Sequence, residues 1–145
     1  MKREWIYKLV LGLCLLIGVE THAQHSTAGI VFFEGSWQEL LAEAKKTGKP
    51  FFVDFYTDWC GPCKMLEKNT FRNKEVGDFA NKNYIAYRIN AEKGEGIELA
   101  DKYRIRAYPS IYFFDSEGRL VEKVIGYHTP DRFLYVMEQI LAKIK

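Results

Sequence analysis

One stretch of chain limits the possible folds more than any other. Phe51 to Thr57 is an apolar run of strand length that leads directly into Trp59-Cys60-Gly61-Pro62-Cys63. Behind the second cysteine, Lys64 to Asn69 reads as helix. So apolar a run suits a central strand covered on both faces. A covered strand that turns at once into a helix calls for helices layered on a sheet.

The rest of the chain supplies those layers. Residues 24–29 read as a leader without structure, and Ile30-Val31-Phe32-Phe33 as a short strand or an extended lead-in. Ser36-Trp37-Gln38-Glu39 has the spacing of a capping box. It opens a helix with Leu40, Leu41 and Ala44 inward, ended by Gly48 before Lys49-Pro50. Asn73 caps a further helical stretch in which Val76, Phe79 and Ala80 share a face. Tyr84 to Ile89 alternates as a strand, and Glu95 to Tyr103 reads as helix. Ser110 to Asp115 and Arg119 to Ile125 are strands joined by Ser116-Glu117-Gly118, a connection short enough for an antiparallel hairpin. Thr129-Pro130 starts a last helix with Phe133, Met137, Ile140, Leu141 and Ile144 on its buried stripe. The expected fold class is α/β: a central mixed β-sheet flanked by helices, with a C-terminal β-hairpin and helix. Helices between the early strands imply right-handed parallel crossovers, and the hairpin adds antiparallel edges.

The 145 residues have room for one domain, assigned to residues 36–145 behind a leader at 24–35. With 48% hydrophobic and 28% charged residues the chain is globular in composition. A net charge of +2, with no basic stripe interleaved with aromatics, argues against nucleic acid as a partner. Residues 1–23 have the layout of a signal peptide. Lys2, Arg3 and Lys8 precede the apolar run Leu9 to Val19, and Thr21-His22-Ala23 offers small residues at a cleavage site. The alternative is a retained membrane anchor, but these 11 apolar residues fall short of the roughly 20 that a spanning helix needs. A lipid anchor on Cys14 is disfavoured by the bulky Leu13 before it. Cleavage after Ala23 leaves 122 of the 145 residues, a charge of +1, and Cys60 and Cys63 as the only cysteines. A bridge across a two-residue gap removes little entropy from the unfolded chain, so its purpose is chemical rather than structural.

Cys60 falls at the start of the helix, where free amide donors and the helix dipole favour a thiolate, so it is the expected nucleophile. Cys63, about one turn on, is the expected resolving thiol and the more buried of the two. Gly61 lets the loop bend without a Cβ clash, and Pro62 suits a first helical turn. No histidine lies between the cysteines to stabilise the reduced thiolate, which points to a reducing centre. Half of a zinc site is the competing reading, yet only His25 and His128 remain as further nitrogen ligands, far apart in sequence. No metal and no cofactor beyond the Cys60–Cys63 disulfide are expected.

Phe52-Val53-Asp54-Phe55-Tyr56-Thr57-Asp58-Trp59-Cys60-Gly61-Pro62-Cys63-Lys64 closely resembles the active-site strand and loop of the thioredoxin superfamily. Ala107-Tyr108-Pro109-Ser110-Ile111 resembles its cis-proline loop, and Gly126 falls where that family has a glycine near the site. The resemblance spans roughly Ser36 to Ile140 and implies a thioredoxin-like fold. It also implies that Asp54 is the buried aspartate that relays protons to Cys63, against the bland reading of a tolerated polar residue. Trp59, Gly61, Pro62, Tyr108 and Pro109 become the substrate-binding residues, with packing as an equal role for Trp59. Two features depart from thioredoxin proper. Arg88 stands where a lysine is usual near the aspartate. Cys63-Lys64-Met65-Leu66-Glu67 with Phe71, and Asn73 to Asn83, look more like the subfamily containing the C-terminal domain of the membrane electron transporter DsbD. Asp58 opposes thiolate formation modestly, and Lys64 offsets it.

With the signal-peptide layout and the absence of an intervening histidine, the resemblance leads to the expectation of an exported, monomeric thiol–disulfide oxidoreductase, periplasmic or otherwise extracytoplasmic, that reduces disulfides in exported proteins. A reductant outside the cytoplasm needs a supply of electrons, so a membrane-bound electron donor is the expected partner. An oxidase or isomerase of exported proteins, a partner in cytochrome c maturation, and a thioredoxin-fold binding module without catalysis are the alternatives.

Overall fold

A computed structural model of the protein describes residues 28–144. The signal peptide expected at residues 1–23 lies outside them. The elements are α1 (Trp37–Thr47), β1 (Phe51–Tyr56), α2 (Gly61–Met65), a π-helical segment (Leu66–Phe71), α3 (Lys74–Asn83), β2 (Ile85–Asn90), α4 (Glu95–Lys102), β3 (Ser110–Phe114), β4 (Leu120–Ile125) and α5 (Pro130–Ile144). Local chemistry sets several of their ends. The Ser36 side chain accepts from the Glu39 amide while the Glu39 carboxylate accepts from the Ser36 amide, the reciprocal cap that starts α1. Gly48 ends it with φ of 68°, a conformation that costs glycine little. The Asn73 side chain accepts from Val76 N–H to start α3.

The four strands lie in the order β2-β1-β3-β4. β1 runs parallel to β2 and antiparallel to β3, and β3 pairs antiparallel with β4. The hairpin therefore contributes one edge rather than two. β3 inserts beside β1 because all five of its residues are buried, whereas β4 exposes Leu120, Lys123 and Ile125.

Alternation along β1 divides the interior into two layers. Phe51, Val53 and Phe55 face Trp37, Leu40 and Ala44 of α1 and Leu99 and Ala100 of α4. Phe52 faces Leu66, Val76 and Ala80 and the α5 residues Phe133, Met137 and Ile140. Phe51 stacks on Phe114 at 4.8 Å between ring centres, and Phe52 meets Phe133 edge-on at 5.9 Å. Each such buried side chain contributes about 1.5–3 kcal/mol. Leu41, Phe79, Leu141 and Ile144 only flank this core, half-buried. Asp54 takes its side from the same alternation: it falls on the Phe52 face, the side that carries α2. Of the two readings for Ile30–Phe33, the extended lead-in holds, making one parallel bridge from Phe32 to Ala86 on β2. Among the described residues no helix is long and apolar enough to cross a membrane.

Candidate active site

β1 ends at Tyr56, and a short turn carries the chain to Cys60, which caps α2. Cys60 and Cys63 form a disulfide with their Cα atoms 5.3 Å apart. The Cys63 amide points at Cys60 Sγ, with N and S 3.2 Å apart. This donor is one of those left free at any helix start, and it favours negative charge on the sulfur. Cys63 is 1% exposed and Cys60 3%, so the predicted order of burial holds by a margin too small to separate their roles. Pro62 lies in the first turn of α2. Gly61 corrects the sequence reading. Its φ is not positive, and a Cβ there would meet nothing within 4 Å, so the loop does not need glycine to avoid a clash within this chain.

Behind the disulfide, Asp54 is fully buried. Loss of water pushes its pKa up to about 6, against the pull of the neighbouring Arg88 guanidinium. Parallel pairing sets Arg88 beside Asp54 across β1 and β2. Arg88 Nε donates to Asp54 Oδ2 at 2.9 Å, and its Nη1 donates to Glu67 Oε2 at 2.8 Å. The guanidinium also lies over the Tyr56 ring, 4.2 Å from its centre. Asp54 Oδ1 has no hydrogen-bond partner among the described residues, and neither has the buried Thr57 hydroxyl nearby. Arg88 holds the Glu67 carboxyl below its ordinary range. The predicted helix over Lys64 to Asn69 is in fact the end of α2 followed by the π-helical segment. The wider turn buries Leu66, Thr70 and Phe71 together while Glu67 reaches Arg88.

The front of the site is aromatic. Trp59 is 67% exposed, and its ring meets Tyr108 edge-on at 5.9 Å. The indole N–H donates to both oxygens of Glu92 at 3.1 Å. Asn90, at the end of β2, donates to Asp58 Oδ1 at 2.9 Å and accepts from the Glu92 amide at 2.9 Å. Lys93 closes the loop on Asp58 Oδ2 at 2.6 Å and keeps that carboxyl ionised. The charge expected of Asp58 is thus offset mainly by Lys93, with Lys64 a smaller contributor. The Tyr108–Pro109 peptide bond is cis. The Pro109 carbonyl accepts from Gly126 N–H at 2.8 Å, where Gly126 has φ of 88°.

Asp54, Trp59, Cys60, Gly61, Pro62, Cys63, Tyr108 and Pro109 thus converge at one end of the sheet. Sequence reasoning passed over Glu67, Asn90, Glu92 and Lys93 as members of the site. Glu67 had a local signal, since it lies about one helical turn after Cys63. The other three become neighbours only through the crossover to β2. Among the described residues no group of three or more His, Cys, Asp or Glu could hold a metal ion.

The thioredoxin-like domain matches residues 37–141 as a sequence family. The chain belongs to the thioredoxin-like family. This thioredoxin-like chain is 34% identical over 111 residues to the thiol:disulfide interchange protein DsbD of Yersinia pestis, covering 74% of this chain and 18% of that protein. The DsbD of Pseudoalteromonas atlantica is 28% identical over 138 residues, covering 93% of this chain and 23% of the relative. The chain therefore spans about a fifth of the length of these curated relatives. Among solved structures, it is 37% identical to a candidate disulphide-isomerase from Bacteroides thetaiotaomicron, with a TM-score of 0.69 and coverage of 82% of this chain and 98% of the other. The oxidised C-terminal domain of Neisseria meningitidis DsbD is 25% identical, with a TM-score of 0.59 and coverage of 75% and 98%. A Cys-x-x-Cys disulfide at this place in a thioredoxin-like chain has the arrangement that thiol–disulfide exchange requires.

Proposed function

We propose that the protein is an exported disulfide reductase, comparable in role to the C-terminal domain of DsbD. The observation that carries this reading is the buried Asp54 carboxyl, with a pKa of about 6, set behind a Cys60–Cys63 pair whose first sulfur accepts an amide hydrogen bond. The Cys60 thiolate attacks one sulfur of a substrate disulfide, and the other substrate sulfur leaves as a thiolate. Asp54 takes the proton from Cys63, whose sulfur then attacks Cys60 Sγ. The bond between Cys60 and substrate breaks, the substrate leaves with two reduced thiols, and the Cys60–Cys63 disulfide forms. Trp59 and the open space over Gly61 and Pro62 receive the substrate. The Tyr108 amide and carbonyl, without hydrogen-bond partners among the described residues, pair with its extended backbone beside Pro109.

Direction follows from potential. A thioredoxin-like couple near −270 mV lies about 150 mV below a strong oxidant near −120 mV, or about 7 kcal/mol for two electrons. Outside the cytoplasm such a reductant needs a continuous supply of electrons, and a membrane-bound donor fits that need. The layout of residues 1–23 and the DsbD relatives support export, with residues 36–145 as a monomeric catalytic domain. Amino-terminal sequencing of secreted material checks cleavage after Ala23.

Insulin reduction together with a measured redox potential tests the direction. Failure to reduce insulin, with a potential above about −180 mV, replaces the reductase by an oxidase or isomerase. The likeness to the Bacteroides protein favours the isomerase as the second reading. Recovery of activity from a scrambled disulfide substrate without added reductant distinguishes it.

A further inference from the structure

We propose that Arg104 and Arg106 select substrates whose reactive cysteine is flanked by acidic residues. The inference rests on the disulfide-exchange reading above and deepens it by naming a substrate class.

α4 ends in a Schellman turn, with Arg104 N–H bonded to Asp101 O at 3.0 Å and Ile105 N–H to Ala100 O at 2.8 Å. The residue at the left-handed position of such a turn is usually glycine, because a side chain there is strained. Here it is Arg104, with φ of 56°, the one non-glycine residue with positive φ among those described. Buried Ile105 and the two turn hydrogen bonds hold it there. The turn itself gains nothing from arginine, so the strain has no structural return.

Arg104 and Arg106 are both exposed, four and two residues before Tyr108, in the loop that delivers the cis-proline to the site. Neither forms an ion pair among the described residues, and the only hydrogen bond from either side chain is Arg106 Nη1 to Ile105 O at 3.5 Å. The acidic groups on this rim that the structure places next to Trp59 are already engaged, Asp58 with Lys93 and Glu92 with the Trp59 indole. The cis-proline loop therefore presents two unmatched guanidinium groups beside the segment where a substrate strand pairs. An extended peptide advances about 3.3 Å per residue, so carboxylates within about four positions of its cysteine come into their range. Guanidinium forks suit carboxylates, and paired charges also raise the rate of encounter.

The test compares two disulfide-linked peptides that differ only in having Asp or Asn on either side of the cysteine. Reduced wild-type protein should exchange with the Asp peptide about five- to tenfold faster in kcat/KM at low ionic strength, as expected for two exposed ion pairs, and salt should erase the difference. Arg104→Gly with Arg106→Gln should abolish the preference and leave exchange with the Asn peptide unchanged. Glycine suits the turn, so this variant folds. Equal rates for both peptides with wild-type protein overturn the inference while leaving the oxidoreductase reading intact. If neither peptide exchanges, that reading fails instead. Binding of the two peptides to the Cys60→Ser, Cys63→Ser protein then still decides charge selection, and equal affinity overturns it.

Discussion

Arg88 holds Asp54 through one nitrogen and Glu67 through another, so a single guanidinium joins the fully buried carboxylate to one at the surface. Asp54 keeps its second oxygen without a partner. That arrangement stabilises the carboxylate enough for it to ionise near neutrality, yet leaves one oxygen able to exchange a proton.

The first prediction concerns pH and stability. The folded pKa of Asp54, about 6, lies above its ordinary value near 4, so the native state binds the proton more tightly than the unfolded chain does. The stability this gives is fully present below about pH 4 and is lost as pH rises to about 6, a loss of about 3 kcal/mol. Asp54→Asn should therefore be more stable than wild type at pH 8, with a flatter profile between pH 4 and 6 in urea titrations. The same variant should resolve mixed disulfides more slowly.

Replacing Arg88 by Met leaves Asp54 buried without its counter-charge. The carboxyl should titrate at still higher pH, shifting the pH profile of exchange upward. Removing one partner of a buried pair costs about 3 kcal/mol. Denaturation should show that cost at pH 8 and much less of it at pH 5, where Asp54 takes up a proton.

Trp59 is mostly exposed, so Trp59→Ala should alter stability by no more than about 0.5 kcal/mol. Its loss should instead raise KM for peptide disulfides by about tenfold, since the indole wall against Tyr108 disappears. Steady-state kinetics and thermal melting on the same preparation separate the two effects.

Cys63→Ser removes the resolving thiol and should leave Cys60 joined to its substrates as mixed disulfides, released by reductant and identifiable by mass spectrometry. Recovering no disulfide-linked protein from extracytoplasmic fractions would count against a broad reductase role.

Gly77→Ala probes the lead-in. A Cβ at Gly77 would overlap the Gly29 backbone. Overpacking of this kind costs about 1–3 kcal/mol. Faster amide exchange at Val31 and Phe33 should accompany it, because their hydrogen bonds to Asn81 and Ala86 loosen as Gly29 moves away.

Features written by neighbours in sequence were legible without the structure. Ser36 with Glu39, Gly48, Asn73 and Thr129-Pro130 act within one turn, and the structure has helix ends at each. The Cys-Gly-Pro-Cys turn was legible for the same reason. Strand order was not, because β3 reaches its place beside β1 through burial on both faces rather than through any local signal. The π-helical segment was also hidden: an extra residue in the turn is selected by the packing of Leu66, Thr70 and Phe71, which ordinary helical spacing does not reveal. Arg88 was visible as an unusual residue, but its grip on Asp54 depends on the register between two strands 34 residues apart.

The sheet's two flanks are shielded by different devices. At β2, the Phe32 bridge and the amide of Phe33 cover part of the strand with the chain's own lead-in. At β4, Glu122 Oε1 accepts from the Lys123 amide while Oε2 holds Lys143, so a charged clasp sits on the open margin. Exposed strand margins invite pairing with other chains, and both shields discourage it. For a reductase of the kind proposed, which meets chains that are unfolded or wrongly bridged, such shields disfavour adhesion along the sides and favour contact at the end of the sheet that carries the sulfurs.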